Sequence, residues 1–408
     1  MLLQILKTNR SFVFTFAGGC SLVMITFGMT HSLGLYLIPI SNQLNAGREL
    51  FSLAMALQVL FVGIAAPIFG GFADRFSPAK ATTVGILILV LSRFWMANID
   101  SPFDLIGSFI LGGFGGAGFL GIVLGAVGKS VNPANRSLFA GVIMAAGSFG
   151  QFVITPIINA LIHNIGWASS LYYIVYISLS LLVCSYFLSF SGKIKSFSKE
   201  TDQTVFGALK EAAGNKNFKL LTIGFFVCGF HVTFVGTHLP AFLEDQNLPY
   251  WLSGWALALI GLFNIVGTLM SGYLSGRMSK KNVLAAIYSL RSILFLFFIL
   301  SPMNEISVLL FASILGLLWL STVPPTNGII ADIFGPKYTS MLFGITLLSH
   351  NIGSFLGSWL GGRIFDYAGS YDYMWLLCIA LGFVSSAFHF PIKADSIETI
   401  STSQKNPI

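Results

Sequence analysis

Charged residues and cysteines are both scarce in this sequence. Only 9% of its 408 residues are charged, against roughly 25% in an ordinary soluble domain. The four cysteines, Cys20, Cys184, Cys228 and Cys378, fall inside apolar stretches and form no CxxC pair, so neither a disulfide framework nor a metal site is predicted. There is also no Walker motif, haem-attachment box or catalytic triad. We therefore expect no cofactor and no enzymatic activity.

Long apolar runs fill most of the chain. Hydrophobic residues make up 55% of it, and the mean hydropathy is +0.82. Apolar windows of about twenty residues, each long enough to cross roughly 30 Å of hydrocarbon as a helix, recur throughout, and their continuity favours helices over barrel strands. We expect twelve spans, at roughly 11–40, 51–72, 80–98, 104–129, 137–162, 168–191, 219–243, 251–275, 282–301, 306–331, 340–365 and 371–391. The sequence predicts an all-α membrane protein.

The net charge of +7 is distributed as an orientation signal. Eighteen of the 22 basic residues fall in connections on the same side as the N-terminus, whereas only Arg48 and Arg363 fall on the opposite side. Because basic residues accumulate on the cytoplasmic side, we expect both termini there and a plasma (inner) membrane location, in a bacterium. We expect a lipid bilayer around the chain and no nucleic acid partner. The first apolar run is predicted to stay in the mature chain, since no cleavage signature accompanies it.

The twelve spans divide into two similar halves. A polar stretch at 191–218 separates them, and an offset of about 202 residues places Gly70 over Gly272 and Arg75 over Arg277. Such a repeat predicts two six-helix lobes related by a pseudo-twofold axis along the membrane normal. The predicted organisation is an N-terminal lobe (1–190), a cytoplasmic linker (191–218), a C-terminal lobe (219–392) and a cytoplasmic tail (393–408).

The repeated segment carries a motif between the second and third spans. Gly70, Asp74, Arg75 and Lys80 follow the pattern Gly-x-x-x-Asp-Arg plus a basic residue. This resembles the cytoplasmic loop signature of the major facilitator superfamily (MFS), and the similarity covers all twelve spans. The resemblance implies the MFS fold and no cofactor. It also implies that these residues, with Arg277 of the second copy, form a conformational latch between the lobes.

The motif also departs from the superfamily pattern. Ser77, Pro78 and Ala79 stand where a second glycine and a basic pair are expected, and Gly276 replaces the acidic residue of the second copy. The second copy is therefore expected to be structural. The alternative for Asp74 and Arg75 themselves is a simpler role, in which they cap the helix end and contribute to the charge bias.

Several sequence segments narrow the resemblance to one branch of the superfamily. GWALALIGLFNIVGTLMSG (254–272) and LGLLWLSTVPPTNG (315–328) are similar to bacterial members of the monocarboxylate-porter branch, which includes oxalate/formate antiporters. This implies a secondary active transporter that moves a small organic anion by alternating access, with proton symport or exchange. Asn264 and Thr268 occupy positions where such carriers often place an arginine. A carrier of amino acids or other neutral or zwitterionic metabolites therefore remains an alternative. A membrane enzyme or sensor is a further alternative, which the internal repeat makes less favoured.

Titratable groups inside the spans are few. All fifteen acidic residues lie at span ends, in connections or in the tail, so proton coupling would rest on histidine, whose reference pKa is about 6.5. His31, His231 and His238 are the proton-coupling candidates. His31 and His231 lie in corresponding spans and could face each other across a central cavity. The alternative for each is a neutral imidazole bonded to a neighbouring helix.

Polar and aromatic side chains supply the substrate-binding candidates. For a small-molecule substrate we expect the site to draw on His31, His231, Asn264, Arg291, Trp319, Phe119, His350 and Asn351. Arg291 could instead join helices, and asparagine side chains more often hold helices together than bind solute. We expect the protein to be a monomer.

Overall fold

The computed structural model describes residues 10–131, 135–193, 211–334 and 339–393, and these residues form twelve long helices. In chain order they are α1 (Arg10–Gln43), α2 (Arg48–Arg75), α3 (Pro78–Ala97), α4 (Pro102–Ser130), α5 (Arg136–Ile165), α6 (Trp167–Leu188), α7 (Lys216–Asp245), α8 (Tyr250–Ser275), α9 (Lys280–Leu300), α10 (Glu305–Phe334), α11 (Thr339–Ala368) and α12 (Asp372–His389). The predicted all-α fold class is confirmed. Most of the expected linker and tail, 194–210 and 394–408, lies outside the described residues.

Local sequence signals set the helix ends. Ser77 and Ser101 accept a hydrogen bond from the backbone of the third residue after them, and in each case proline follows at the first helical position. Between α5 and α6, Gly166 has a φ of +85°, where a side chain would be strained. Caps of this kind allow successive helices to reverse direction within a few residues.

Corresponding connections in the two halves have the same backbone shape. Asn45, between α1 and α2, has a φ of 48°, and Asn247, between α7 and α8, has a φ of 55°. They are the only residues other than glycine with positive φ in the described ranges. Asparagine tolerates this conformation better than most residues because its side chain bonds locally. The repeat therefore extends to individual turn residues.

Two corresponding helices are interrupted near their midpoints. Helix α4 consists of Pro102–Gly116 and Phe119–Ser130, and Gly118 between them has a φ of +83°. Helix α10 consists of Glu305–Leu318 and Val323–Phe334. Interruptions at matching places in the two halves release backbone groups from helical hydrogen bonding at membrane depth, and carriers often bind solutes beside broken helices of this kind.

The two lobes, α1–α6 and α7–α12, meet along three helix pairs. Helix α2 packs against α11, α5 against α8, and the 3-10 turn of α1 at Leu33–Tyr36 against α7. Glycine permits the closest approaches: a Cβ on Gly34 would collide with the backbone of α7, and one on Gly261 would lie 2.8 Å from the Ser148 carbonyl oxygen of α5. The lobe interface is therefore lined by small residues and is tight.

Eleven of the twelve helices are long and apolar enough to cross a membrane. The exception among the described helices is α11, which is 30 residues long but carries Ser349, His350, Asn351 and Ser354 in its middle. This helix packs between α7 of its own lobe and α2 of the other, so its polar residues contact protein. Large apolar side chains cover the outer surface, for example Leu300, which is 72% exposed. The chain is a multi-pass membrane protein.

Candidate functional site

Ion pairs between side chains join the lobes at one end of the bundle. We call this end the Arg48 side because α2 begins there, and the opposite end the Arg75 side. Arg48 of the N-terminal lobe forms a bidentate pair with Asp245 of α7, at 2.6 and 2.7 Å. Its guanidinium also lies 3.6 Å from the centroid of the Phe365 ring. The pair is largely shielded from solvent, with Arg48 14% exposed, and such charge-assisted, bidentate contacts are the stronger kind.

The first turn of α2 receives its cap from the other lobe. The Asp366 carboxylate, at the end of α11, accepts hydrogen bonds from the backbone N–H groups of Arg48 and Glu49, both at 2.8 Å. The Glu49 side chain in turn accepts from Arg363 at 2.8 Å and from the Trp359 indole at 3.0 Å. Because a helix N-terminus favours an anion, Asp366 stabilises α2 only while the lobes are together.

A ladder of hydrogen bonds joins α5 to α8. The amides of Gln151 and Asn159 donate to the carbonyls of Leu257 and Tyr250, each at 2.8 Å. Between these rungs the Thr155 hydroxyl donates to the Gly254 carbonyl at 3.2 Å. The ladder runs from the middle of the bundle to the Arg48 side.

Lobe contacts of this kind are confined to one half of the molecule. Between the described residues of the two lobes, every hydrogen bond and ion pair lies between the bundle middle and the Arg48 side. On the Arg75 side, Asp74 instead pairs with Lys129 of its own lobe at 2.6 Å, and Lys280 pairs with Asp332 of its own lobe at 2.7 Å. The structure is therefore closed on the Arg48 side.

The predicted latch residues lie at the Arg75 side without bridging the lobes. The Asp74 side chain is 70% exposed, and the Arg75 guanidinium lies over the Phe76 ring beside it. In the second copy, Arg277 lies 3.8 Å from the centroid of the Tyr273 ring. A Cβ on Gly70 would meet nothing within 4 Å beyond its own stretch of helix, and Lys80 contributes its backbone N–H to the Ser77 cap. A latch that acts when this side closes stays a prediction.

The histidines do not meet as expected. His31 bonds through Nδ1 to the Phe27 carbonyl of its own helix, at 2.9 Å. The ring of His231 lies inside the C-terminal lobe, where Nε2 donates to the Cys378 carbonyl of α12 at 2.9 Å and Phe295 packs edge-on against it. The two rings therefore do not face each other across a cavity. The sequence offset matched the helices, but it did not determine which face of α7 carries His231.

Three further candidates lie along the contacts of α11. His238, near the Arg48 side, is buried and bonds to Tyr371 and to the backbone of α11. His350 is partly buried beside Phe225 of α7. The Asn351 amide lies against Gly63 of α2, so that a Cβ there would be 2.6 Å from its nitrogen. Of this group, His238 and Asn351 therefore lie at the lobe interface.

Asn264 is a junction between three helices. Its amide nitrogen donates to the Ser148 hydroxyl of the other lobe at 2.8 Å, and its oxygen accepts from the Leu320 N–H in the α10 interruption at 3.0 Å. The Thr268 hydroxyl donates to the same oxygen at 3.2 Å. In this state Asn264 connects the lobe interface to the interrupted helix.

Arg291 is enclosed in the C-terminal lobe. Its guanidinium donates to the carbonyls of Leu318 and Trp319, which the interruption of α10 leaves without helical partners, and it contacts the Cys228 sulfur. The side chain is fully buried. In the structure Arg291 therefore stabilises the break in α10 and does not face an open cavity.

The two predicted cavity aromatics are also buried. Trp319 is 1% exposed in the α10 interruption, and Phe119 is 2% exposed, with its ring against Gly85 of α3. The interruptions that position them were not predicted from sequence. The available sequence signal was the run of glycines before Phe119 and the consecutive prolines Pro324 and Pro325.

A cavity of about 490 Å³ lies on the Arg48 side between the two lobes. Polar side chains from both lobes line it, namely Asn42, Asn159, His163, Glu244, Tyr250 and Ser253. The rings of His163 and Tyr250 stack across the lobes with centroids 3.6 Å apart. The described residues contain no group of three or more His, Cys, Asp or Glu side chains that could hold a metal ion.

The ion pairs of the Arg48 side were not predicted from the sequence. Arg48 and Arg363 were noted there as exceptions to the charge bias, and each has an acidic partner in the opposite lobe. The identities of those partners depend on which helices meet. A basic residue on the side where such residues are rare was the available signal.

Comparisons with known proteins agree with this geometry. A family model described as Major Facilitator Superfamily matches residues 17–327. The chain is 24% identical over 385 residues to the uncharacterized MFS-type transporter YcxA of Bacillus subtilis, covering 90% of each chain, and 21% identical over 415 residues to monocarboxylate transporter 12 of Rattus norvegicus, covering 90% of this chain and 84% of the relative.

Among solved structures, the fold is similar to an inward-facing, unoccupied bacterial homologue of the human lysosomal transporter Spinster. The TM-score is 0.75, with 13% sequence identity, and the match covers 94% of this chain and 97% of that one. Two lobes of six helices, a repeated loop motif and a family model that spans most of the chain lead to one assignment. The chain belongs to the Major Facilitator Superfamily and is a secondary transporter of small molecules.

Proposed function

We propose that this transporter carries a small organic anion, in the first instance a monocarboxylate, by alternating access. The observation that carries the alternating-access part is the one-sided distribution of lobe contacts, since among the described residues ion pairs and hydrogen bonds join the lobes only from the middle to the Arg48 side. Two lobes held together at one end and unbonded at the other are what a rocking mechanism requires. The choice of a monocarboxylate as substrate is supported by the sequence segments at 254–272 and 315–328 and by relatives named monocarboxylate transporters.

The proposed orientation places the Arg75 side in the cytoplasm. The excess of basic residues on that side supports it, as does the charge of the Asp74–Arg75 loop. The structure then corresponds to a state closed to the exterior, in the plasma (inner) membrane of a bacterial cell. Both termini would be cytoplasmic.

Neither of the two buried arginines of the described residues lines the cavity on the Arg48 side. Arg291 is engaged by backbone carbonyls, and Arg93, 2% exposed, lies inside the N-terminal lobe. Uncharged donors such as Asn351, together with His31, would then contact the carboxylate. The same observation favours a second candidate, a carrier of amino acids or other neutral metabolites, for which Asn264 and Asn351 supply both donors and acceptors.

Counterflow in proteoliposomes separates these two candidates. Purified protein is reconstituted with unlabelled solute inside, and uptake of labelled lactate, pyruvate and oxalate is compared with uptake of a panel of neutral amino acids. We expect accumulation of a monocarboxylate. Accumulation of amino acids alone would replace the first candidate with the second, and no accumulation of any of these solutes would contradict both.

A matched pair of variants tests the site. Asn351→Ala removes an amide at the lobe interface, whereas Asn98→Ala removes an exposed amide in the α3–α4 connection. We expect the first to raise the KM for the transported solute at least fivefold and the second to leave it unchanged. Equal KM values in both variants would remove Asn351 from the proposed site.

A further inference from the structure

His238 belongs to a continuous chain of hydrogen bonds that ends in the other lobe. Its Nδ1 lies 3.0 Å from the Tyr371 hydroxyl, and that hydroxyl lies 3.1 Å from Nη1 of Arg48. Arg48 in turn holds Asp245. We call these four residues, His238, Tyr371, Arg48 and Asp245, the Arg48 gate. Only Arg48 belongs to the N-terminal lobe, so the chain breaks when the lobes separate.

The groups at the two ends of the Arg48 gate determine which atom donates and which accepts in each of its hydrogen bonds. Nε2 of His238 lies 2.8 Å from the Ser358 carbonyl, which can only accept, so Nε2 carries a hydrogen and donates. Arg48 can only donate, so the Tyr371 oxygen accepts from it. The Tyr371 hydrogen is then free to point at Nδ1 of His238. The chain is fully satisfied when His238 is neutral, with Nδ1 unprotonated.

A proton on Nδ1 would conflict with this arrangement. The imidazolium and the Arg48 guanidinium would both direct hydrogens at the Tyr371 oxygen, and the Tyr371 hydrogen would lose its acceptor. Two cations would then share one neutral oxygen in a site where His238 is 1% exposed. Like charges at this separation repel strongly where water is excluded, so the added proton works against the closed state.

A second connection passes through the residue that accepts from His238. While the Ser358 carbonyl accepts from Nε2, the Ser358 hydroxyl donates to the Ser52 carbonyl of α2 at 3.0 Å. The ring of His238 also fills the space beside Gly361 of α11. A shift of the imidazole therefore disturbs two contacts between the lobes.

The other ionisable groups around His238 do not supply a counter-ion. From α2 it is approached by Arg48 and from the start of α12 by Tyr371. The carboxylate within the gate, Asp245, is already engaged by the Arg48 side chain, and Asp366 beside the gate is engaged by the first backbone N–H groups of α2. Glu49, also of α2, is paired with Arg363 of α11, and Glu244 of α7 is exposed to the cavity on the Arg48 side.

We propose that His238 is a proton-binding site that controls the Arg48 gate: the neutral ring completes the closed gate, and a bound proton favours the state that is open on the Arg48 side. This rests on the proposed alternating access of the transporter and deepens it. In the orientation proposed above, acidification of the exterior increases the number of carriers ready to accept solute from outside. Proton and solute are then coupled without a carboxylate in the membrane interior.

The population of the closed gate is measured directly with spin labels. Gln43→Cys at the end of α1 and Tyr367→Cys at the end of α11 place exposed labels on opposite lobes, in a background with Cys20→Ser and Cys184→Ser. Distance distributions are recorded in lipid nanodiscs between about pH 8 and pH 5, without solute. We expect the ratio of closed to open molecules to fall by up to tenfold per pH unit where His238 titrates.

His238→Gln, whose side chain is uncharged at every pH, is expected to abolish this pH response while a closed population persists. The matched control is His163→Gln, which removes the other histidine of the Arg48 side, stacked across the lobes on Tyr250 but outside the gate. We expect it to keep the full response. Should His238→Gln fail to fold, Tyr371→Phe serves, because it removes only the linking hydroxyl and should reduce the response at least threefold.

The proposal is overturned by a wild-type ratio that does not change with pH. It is equally overturned if His238→Gln, or Tyr371→Phe in its place, responds as the wild type does, or if His163→Gln loses the response. Because no solute is present, these outcomes are independent of the counterflow assay. A failed substrate assignment and a failed proton site are therefore told apart.

Discussion

At the scale of single residues, the two ion pairs that cross between the lobes in the described part of the chain differ in strength. Arg48 and Asp245 form a bidentate pair with side chains 14% and 30% exposed, whereas Arg363 meets Glu49 through one nitrogen and is 58% exposed. Water screens the second pair and a long side chain must be ordered to make it. Arg48 also lies on Phe365 and bonds to Tyr371, so its loss removes several contacts at once.

We therefore expect Arg48→Ala to lower the ratio of closed to open molecules by at least tenfold. Arg363→Ala is the matched control, because it removes the other arginine of the same side, and its effect should stay within about fivefold, the ratio that corresponds to 1 kcal/mol. Spin-label distances between α1 and α11 provide the measurement for both variants. Equal effects would mean that burial and geometry do not distinguish the two pairs.

At the scale of helices, the interruptions of α4 and α10 are the features that ordinary spans lack. In α4 the chain leaves the helix at Ala117 and re-enters it after Gly118, whose φ of +83° only glycine adopts without strain. In α10 the freed carbonyls of Leu318 and Trp319 are taken up by Arg291. The break in α4 thus depends on a left-handed glycine, and the break in α10 on a buried arginine.

Gly118→Ala should destabilise the protein by roughly 1–2 kcal/mol from backbone strain alone. A Cβ at this position would also lie 2.9 Å from Cβ of Phe69. The control is Gly121→Ala, three residues later, where nothing lies within 4 Å and the backbone is helical. This second change is expected to be neutral or to stabilise by up to about 1 kcal/mol.

Thermal unfolding of the two variants in the same detergent, followed by intrinsic fluorescence, compares them. The expected order of melting temperatures is Gly118→Ala below the wild type, and Gly121→Ala equal to or above it. If the two alanine variants melted together, the left-handed conformation at Gly118 would not be the strained element of α4.

At the scale of the whole molecule, the structure agrees with the architecture predicted from the sequence, but it differs in which face of a helix some residues occupy. Hydropathy, charge bias and the internal offset predicted twelve helices in two lobes, because these signals accumulate over twenty or more residues. They did not determine which face of a helix a given residue occupies. His231 turned out to face α12, and the partners of Arg48 and Glu49 lie 197 and 314 residues away along the chain. Contacts of this kind depend on how the lobes meet, which no local pattern encodes.

The latch is the feature that would act in the opposite state. If Asp74 joins the lobes when the Arg75 side closes, Asp74→Asn weakens that state and leaves the Arg48 gate intact. We expect it to raise the closed population on the Arg48 side at least threefold and to slow counterflow. Asp100→Asn, in an exposed connection at the other end of the lobe, should change neither quantity. An unchanged population in Asp74→Asn would support the simpler role of a helix-end residue.

Asp366 has a consequence for the moment when the lobes part. While they are together, its carboxylate occupies the two amide hydrogens at the start of α2. Separation carries that carboxylate away with α11 and leaves a bare helix start beside an unpaired guanidinium, both of positive character. The vacated position must be filled from solution, by water or by a dissolved anion. The movement that opens the mouth therefore separates its charges, with Arg48 and the start of α2 on one wall and the carboxylates of Asp245 and Asp366 on the other.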